Sequence, residues 1–195
     1  LNEKRLAAVQ QKAELILIRH GATLRSDCLN GRTDVALSAT PAPVALSPSE
    51  LWVSPAVRAR QTAAGLFGAC VAREDARLWE QDFGVWDGKP LASLPDVGDL
   101  EKRALADLAA EGGESFAAMV ARVTPALVAC AARACDLGGP VVIVAHAGTV
   151  RAALALAFGD VPGALAFEVP HLAATRLRCF PGGGLAIRAV NEVLV

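Results

Sequence analysis

The run Val141-Val142-Ile143-Val144-Ala145 constrains the fold more than any other stretch of the chain. Four consecutive β-branched residues leave no polar face, so the segment fits a strand covered on both sides. Gly138-Gly139-Pro140 ends whatever precedes it, and His146-Ala147-Gly148 leads into a helical pattern that reaches Phe158. The same order recurs upstream. Leu15–Ile18 runs into Arg19-His20-Gly21, and Leu51–Val53 runs into Ser54-Pro55. Ser at an N-cap and Pro at the first helical position predict a helix over Ala56–Phe67.

A longer helix is predicted from Phe116 to Cys135, because Met119, Val120, Val123, Leu127 and Val128 recur at helical spacing. Pro125 inside it predicts a kink. Ala104–Ala110 reads as a short helix, Pro90–Asp99 as a connector, and Leu78–Gly88 as an ordered loop carrying Trp79, Phe83 and Trp86. Ala173–Phe180 and Leu185–Val190 flank Pro181-Gly182-Gly183-Gly184 and read as a hairpin, in which the glycines make a turn and not a nucleotide loop. The alternation predicts an α/β fold in three layers, α/β/α, with a mostly parallel sheet and helices on both faces. No polar linker divides it, so residues 1–195 form one domain, with 1–14 as an N-terminal extension.

Composition narrows the function. At 53% hydrophobic and 20% charged residues, the chain is no disordered tail. A net charge of −1 gives no positive field for nucleic acid. No uninterrupted apolar run has the length of a membrane span, and Leu1–Glu14 lacks the apolar core of a signal peptide. A cytoplasmic protein is expected. The five cysteines are odd in number and form no C-x-x-C pair, which predicts reduced thiols and neither a zinc ribbon nor a redox couple.

Three strand ends then deliver polar groups: Arg19 and His20 after the first, Arg58 in the helix after the second, and His146 after Val141–Ala145. Ligands of open α/β sheets bind at the carboxyl ends of strands. Arg suits bidentate contact with a phosphoryl group. A His among guanidinium groups is pushed toward its neutral, nucleophilic form. The chemistry expected is covalent phosphoryl transfer through a phosphohistidine.

Five segments carry a resemblance. Leu17-Ile18-Arg19-His20-Gly21-Ala22-Thr23 resembles the signature of the histidine phosphatase superfamily, the phosphoglycerate mutase-like proteins. Ser54–Ala63 is similar to its S-P-x-x-R-A-x-x-T-A segment, and Leu78–Gly88 to L-x-E-x-x-F-G-x-W-E-G. Gly112–Phe116 is similar to G-G-E-S, and Val144–Gly148 to the second-histidine motif. The resemblance implies a phosphoglycerate mutase-like fold. It implies that His20 is the phosphorylated nucleophile, and that Arg19, Arg58, His146 and a backbone N–H near Gly148 hold the phosphoryl oxygens. Glu80 would protonate the leaving oxygen and then take a proton from water. The neighbouring Phe83 and Trp86 are expected to desolvate its carboxyl group, with Asp82 as a rival acid. No metal and no cofactor are implied.

Ala22 and Ser26 depart from the family pattern, where Glu or Gln and a phosphate-touching Asn are common. Ser38–Glu50 lacks the usual helix. His171 is expected at the surface or in a cap, and Glu114 and Ser115 in a helix cap or pocket wall. The superfamily holds phosphatases and mutases. The stretch after Glu80 has no room for the long mutase insertion, which favours a phosphatase. Cys28–Leu37 resembles the C-Y-G-x-T-D-V-x-L segment of α-ribazole phosphatases, which points to α-ribazole 5′-phosphate. Other small phosphate esters, mutase-type transfer and a non-catalytic phosphate-binding protein are the alternatives. The partner expected is a small-molecule phosphate ester, with no nucleic acid and no membrane, and with homodimerisation left open.

Overall fold

The computed structural model describes residues 13–194. Most of the proposed N-terminal extension therefore lies outside the described residues. Ala13 is buried and Glu14 already belongs to the first strand.

One six-stranded sheet runs through the molecule. Its strands are β1 (Glu14–Arg19), β2 (Glu50–Val53), β3 (Ala72–Glu74), β4 (Pro140–Ala145), β5 (Ala173–Cys179) and β6 (Leu185–Val193), in the spatial order β3-β2-β4-β1-β5-β6. The first four are parallel, and the β5–β6 hairpin adds antiparallel to β1. The helices are α1 (Val57–Phe67), α2 (Lys102–Asp107), α3 (Phe116–Leu137) and α4 (Ala147–Phe158). The three-layer architecture is as expected. Strand β3 was not anticipated, since three residues carry too little pattern. The short helix begins and ends earlier than its sequence suggested.

Alternation along the central strands builds two cores at once. Leu15, Leu17, Val141 and Ile143 face α3 and α4, where they pack with Met119, Leu127 and Leu154. Ile16, Ile18, Val142 and Val144 face α1, with Ala59, Ala63 and Leu66. Each buried aliphatic side chain contributes about 1.5–3 kcal/mol, so a strand that serves both faces is held firmly in register. Its carboxyl end is then a rigid place to mount chemistry.

The 22-residue helix α3 is long and apolar enough to cross a membrane. Its face of Met119, Val123, Leu127, Cys130 and Ala134 is instead packed on the sheet, as a core helix requires. Ser54 does not cap α1. The helix begins after Ala56 without a side-chain cap of its own, and Asp34 reaches across to accept from the Val57 N–H at 2.7 Å.

Candidate active site

The carboxyl ends of β1 and β4 bring His20 and His146 together, with ring centroids 5.2 Å apart. His20 is fixed through its backbone N–H, which donates to the Ala145 carbonyl at 2.9 Å. Its Nδ1 lies 2.8 Å from the Gly21 carbonyl. A carbonyl only accepts, so Nδ1 carries the proton and the Nε2 lone pair is left for attack. Burial, with Arg58 and Arg19 nearby, drives the His20 pKa down to about 3 against the Gly21 hydrogen bond, which works the other way. The ring is neutral at neutral pH.

His146 is fully buried, and burial followed by Arg58 pushes its pKa well below the ordinary value. Its Nε2 meets the Ser54 hydroxyl at 2.8 Å. That hydroxyl also accepts from the Ala56 N–H at 3.3 Å. The other ring nitrogen, His146 Nδ1, is buried without a protein partner and is left for a ligand.

Arg58 is fully buried as well. Its guanidinium donates to the carbonyls of Thr33 at 3.0 Å, Asn30 at 3.1 Å and Gly31 at 2.7 Å. Arg19 donates to the Val169 carbonyl at 2.6 Å. Burial lowers both guanidinium pKa values from the ordinary one, and both groups stay cationic. The Nε groups of both are buried without a protein partner. Two fixed cations and His146 Nδ1 beside a neutral imidazole make a site for a tetrahedral oxyanion.

Glu80 reaches this cluster from its loop. Its carboxylate accepts from the Gly148 N–H at 3.3 Å and from the Gln81 N–H at 3.0 Å. Gly148 was expected to offer its N–H to phosphate, but here that group is engaged by Glu80. A Cβ at Gly148 would lie 2.2 Å from Glu80 Oε1 and 2.9 Å from Met119 Cε, so a side chain there would make the carboxylate shift. Phe83 and Trp86, expected beside the Glu80 carboxyl, line an apolar cavity of about 300 Å³ with Leu29, Leu94, Leu105 and Phe116. Asp82 is turned onto its own loop, accepting from the Gly84 N–H at 2.9 Å.

The structure adds residues that motif reading missed. Arg122 donates to the carbonyls of Arg77, Trp79 and Glu80 and to the Glu114 carboxylate, and so fixes the loop that carries Glu80. Glu114 also accepts from Asp82 N–H, while Ser115 caps α3 through the Ala118 N–H, so wall and cap are both present. Thr62 accepts from the Gly21 N–H at 3.0 Å and donates to the Arg58 carbonyl at 2.7 Å. His171 is no remote surface residue. It donates from Nδ1 to the His20 carbonyl at 2.9 Å, with its ring 5.3 Å from that of His20. Ser26 is exposed in the turn 24–27, and residues 38–49 contain no helix.

The Cys28–Leu37 segment has tasks in the cradle. Three of its carbonyls hold Arg58, Asp34 caps α1, and the Arg32 and Thr33 N–H groups donate to Asp87 at 2.6 and 3.0 Å. Gly31 is required there, since a Cβ would meet the Gln81 carbonyl at 2.2 Å.

A buried imidazole nucleophile ringed by arginines defines a phosphotransfer enzyme that works through histidine. The chain belongs to the histidine phosphatase superfamily (branch 1), whose family model matches residues 15–193. It is a metal-independent hydrolase of the phosphohistidine type. A mycobacterial glucosyl-3-phosphoglycerate phosphatase is 27% identical, with a TM-score of 0.76 over 92% of this chain and 99% of that one. A phosphoserine phosphatase from Entamoeba histolytica, in complex with 3-phosphoglyceric acid, shares the fold at 20% identity, with a TM-score of 0.75 over 92% and 97% of the two chains. So does a putative α-ribazole-5′-P phosphatase from Escherichia coli, at 20% identity and a TM-score of 0.73 over 94% and 99%. A comparison with curated proteins finds no match.

Proposed function

We propose that this protein hydrolyses the phosphate monoester of a small metabolite, with His20 as the nucleophile. The observation that carries the reading is the tautomer of His20: Nδ1–H is tied to the Gly21 carbonyl and the ring is neutral, so Nε2 is ready to attack. In the first step His20 Nε2 bonds to phosphorus while the ester P–O bond breaks. Arg19, Arg58 and His146 Nδ1–H hold the non-bridging oxygens, and Glu80 gives its proton to the leaving oxygen. In the second, the Glu80 carboxylate takes a proton from water as the water oxygen attacks phosphorus. The P–N bond breaks and phosphate leaves. The proton that Glu80 gives up in the first step is returned to it by the water in the second.

Two leaving groups are candidates, each with its own support. The Cys28–Leu37 resemblance points to α-ribazole 5′-phosphate, and the apolar cavity of Leu29, Phe83 and Trp86 could seat its base. The 27% identity to the mycobacterial enzyme points to glucosyl-3-phosphoglycerate. A panel of both esters with p-nitrophenyl phosphate and 3-phosphoglycerate tests the proposal. We expect phosphate release, and for one of the two large esters a kcat/KM at least about tenfold above p-nitrophenyl phosphate, equivalent to about 1.4 kcal/mol. Equal values throughout would make this a broad-specificity phosphatase. No phosphate release from any ester would leave a binding protein, and isomerisation of 3-phosphoglycerate would mark a mutase.

A further inference from the structure

The turn that leads into β5 meets the Arg19–His20 dipeptide at three points. The β1–β5 ladder ends with Ile18 opposite Ala174, and the turn at 171–172 then bends over the residues that follow Ile18. The Val169 carbonyl accepts from Arg19 Nη1 at 2.6 Å, the Leu172 N–H donates to the Arg19 carbonyl at 3.0 Å, and His171 Nδ1 donates to the His20 carbonyl at 2.9 Å. Leu172 has a φ of 61°, a conformation that bulky side chains rarely adopt. Such a backbone persists where its surroundings over-determine it, and here the bonds to Arg19 and His20 do so. His171 also stands where its chemistry is unexpected. It shares the wall of an apolar cavity of about 500 Å³ with Pro41, Val44, Leu66 and Val193, where a leucine would pack as well. An imidazole in such a wall needs a hydrogen bond, and the one it makes goes to the carbonyl of the nucleophile itself.

We propose that His171 is a positioning residue for the nucleophile, clamping with Thr62 the peptide that joins His20 to Gly21. His171 donates to the carbonyl of that peptide, and Thr62 Oγ1 accepts from its N–H at 3.0 Å. A planar peptide held at both ends does not turn. This matters because the Gly21 carbonyl takes the Nδ1 proton of His20, and Gly21 has no Cβ to restrain its backbone. The clamp fixes Gly21, and Gly21 in turn fixes the His20 ring with Nε2 free. Without the clamp the Gly21 carbonyl swings away and Nδ1–H loses its acceptor. The proton can then settle on Nε2, the atom that must attack. Thr62 is itself tied down, since its hydroxyl donates to the Arg58 carbonyl at 2.7 Å. The aim of His20 is thus linked to the helix that carries Arg58. The inference rests on the phosphatase reading only in taking His20 as the nucleophile.

The test uses His171→Leu, which keeps the bulk and loses the donor, and His171→Asn, whose Nδ2 takes the place of the imidazole Nδ1. The chain has three histidines, so the tautomer of His20 can be read from long-range proton–nitrogen correlation spectra of each protein. His20 should carry its proton on Nδ1 in wild type, should populate the Nε2–H form in His171→Leu, and should return to Nδ1–H in His171→Asn. With p-nitrophenyl phosphate, kcat should fall by about ten- to a hundredfold in His171→Leu, the scale of a misaimed reacting group. The inhibition constant of inorganic phosphate should stay within about threefold, and His171→Asn should recover most of kcat. A purely structural role would lower the melting temperature without moving the tautomer. An unchanged tautomer in His171→Leu, or a folded His171→Asn that does not restore it, overturns the clamp. If His171→Leu does not fold, Thr62→Val removes the other end of the clamp and must produce the same tautomer shift, or the proposal falls. A tautomer that depends on His171 in a protein that cleaves no ester keeps the clamp and removes the phosphatase. Ester cleavage with a tautomer indifferent to His171 keeps the phosphatase and removes the clamp.

Discussion

The cradle around His20 and the rim around Trp86 are built by different means. In the cradle, Arg19, His20, Arg58 and His146 sit at strand ends or open a helix, Glu80 joins them from a loop, and backbone groups supply most of the grips. Arg58 is gripped by three carbonyls, His20 by the Gly21 carbonyl, and Glu80 by two N–H groups. In the rim, loop side chains supply the walls: Leu29, Phe83, Trp86 and Leu94 come from segments without regular strands or long helices. Backbone grips change by substitution only where a new side chain would crowd them, as at Gly31 and Gly148, so the cradle preserves one chemistry. Side-chain walls can be exchanged one at a time, so the rim is where the leaving group is chosen.

The sharpest way to break this division is at the nucleophile. His20→Ala should lower turnover of every ester alike, by roughly 10⁴-fold or more, while the fold persists. Wild-type protein mixed with substrate and quenched in alkali should hold an acid-labile, base-stable phosphoenzyme. A phosphoenzyme of undiminished yield in His20→Ala would move the nucleophile elsewhere.

A smaller loss is expected where the cradle grips Glu80. In Gly148→Ala the new Cβ would overlap Glu80 Oε1, so the carboxylate must withdraw. Removing a general acid typically costs about 10²–10⁴, and a displaced one should fall at the lower end of that range. The loss should be large for alkyl phosphates and slight for p-nitrophenyl phosphate, whose leaving group needs no proton. Glu80→Gln should show the same leaving-group dependence. An equal loss for both ester types in either variant would make Glu80 a positioning residue.

Acid should weaken the cradle before the rim. The unfolded His20 side chain has the ordinary pKa of 6.5 and the folded one about 3. As pH falls below 6.5 the unfolded chain takes up the proton first. Stability is therefore complete above that value and is lost progressively down to about pH 3. The slope is about 1.4 kcal/mol per pH unit. Between pH 7 and pH 5 His20 accounts for about 2 kcal/mol, and burial shifts His146 and His171 in the same direction. Urea unfolding at the two pH values should show that difference in wild type and a smaller one in His20→Ala. Equal differences would show that the His20 proton is not displaced by folding.

What the sequence disclosed follows the same division. Arg19, His20, Arg58 and His146 were legible because each sits next to a strand or helix whose own pattern announces it. Ser54, Thr62, Arg122 and His171 were not, because their roles depend on partners remote in the chain. Ser54 meets His146 across 92 residues and His171 meets His20 across 151. Ser54 even imitated a helix cap, since Ser-Pro has the same local signature in both roles. The cavity of Phe83 and Trp86 was hidden for a related reason, since its other walls, Leu29 and Leu105 among them, come from remote segments. Helix α3 is apolar enough overall to resemble a membrane span, and its packing on the sheet shows it to be a core helix.

The smallest expected effect lies in the rim itself. Trp86 contributes one wall of the apolar cavity and holds none of the cradle groups. Trp86→Ala should therefore leave the phosphoenzyme and the leaving-group dependence intact, and should change the ranking of substrates only. An ester whose ring enters the cavity, such as α-ribazole 5′-phosphate, should lose about 1–2 kcal/mol of transition-state binding, read as a fall of roughly five- to thirtyfold in kcat/KM. Glycerol 3-phosphate, which has nothing to place there, should change by less than about twofold. The ratio of the two kcat/KM values isolates the wall from any general loss of activity. If both esters fall together, the Trp86 loop supports the cradle and the two regions are one. If neither falls, the leaving group does not enter this cavity.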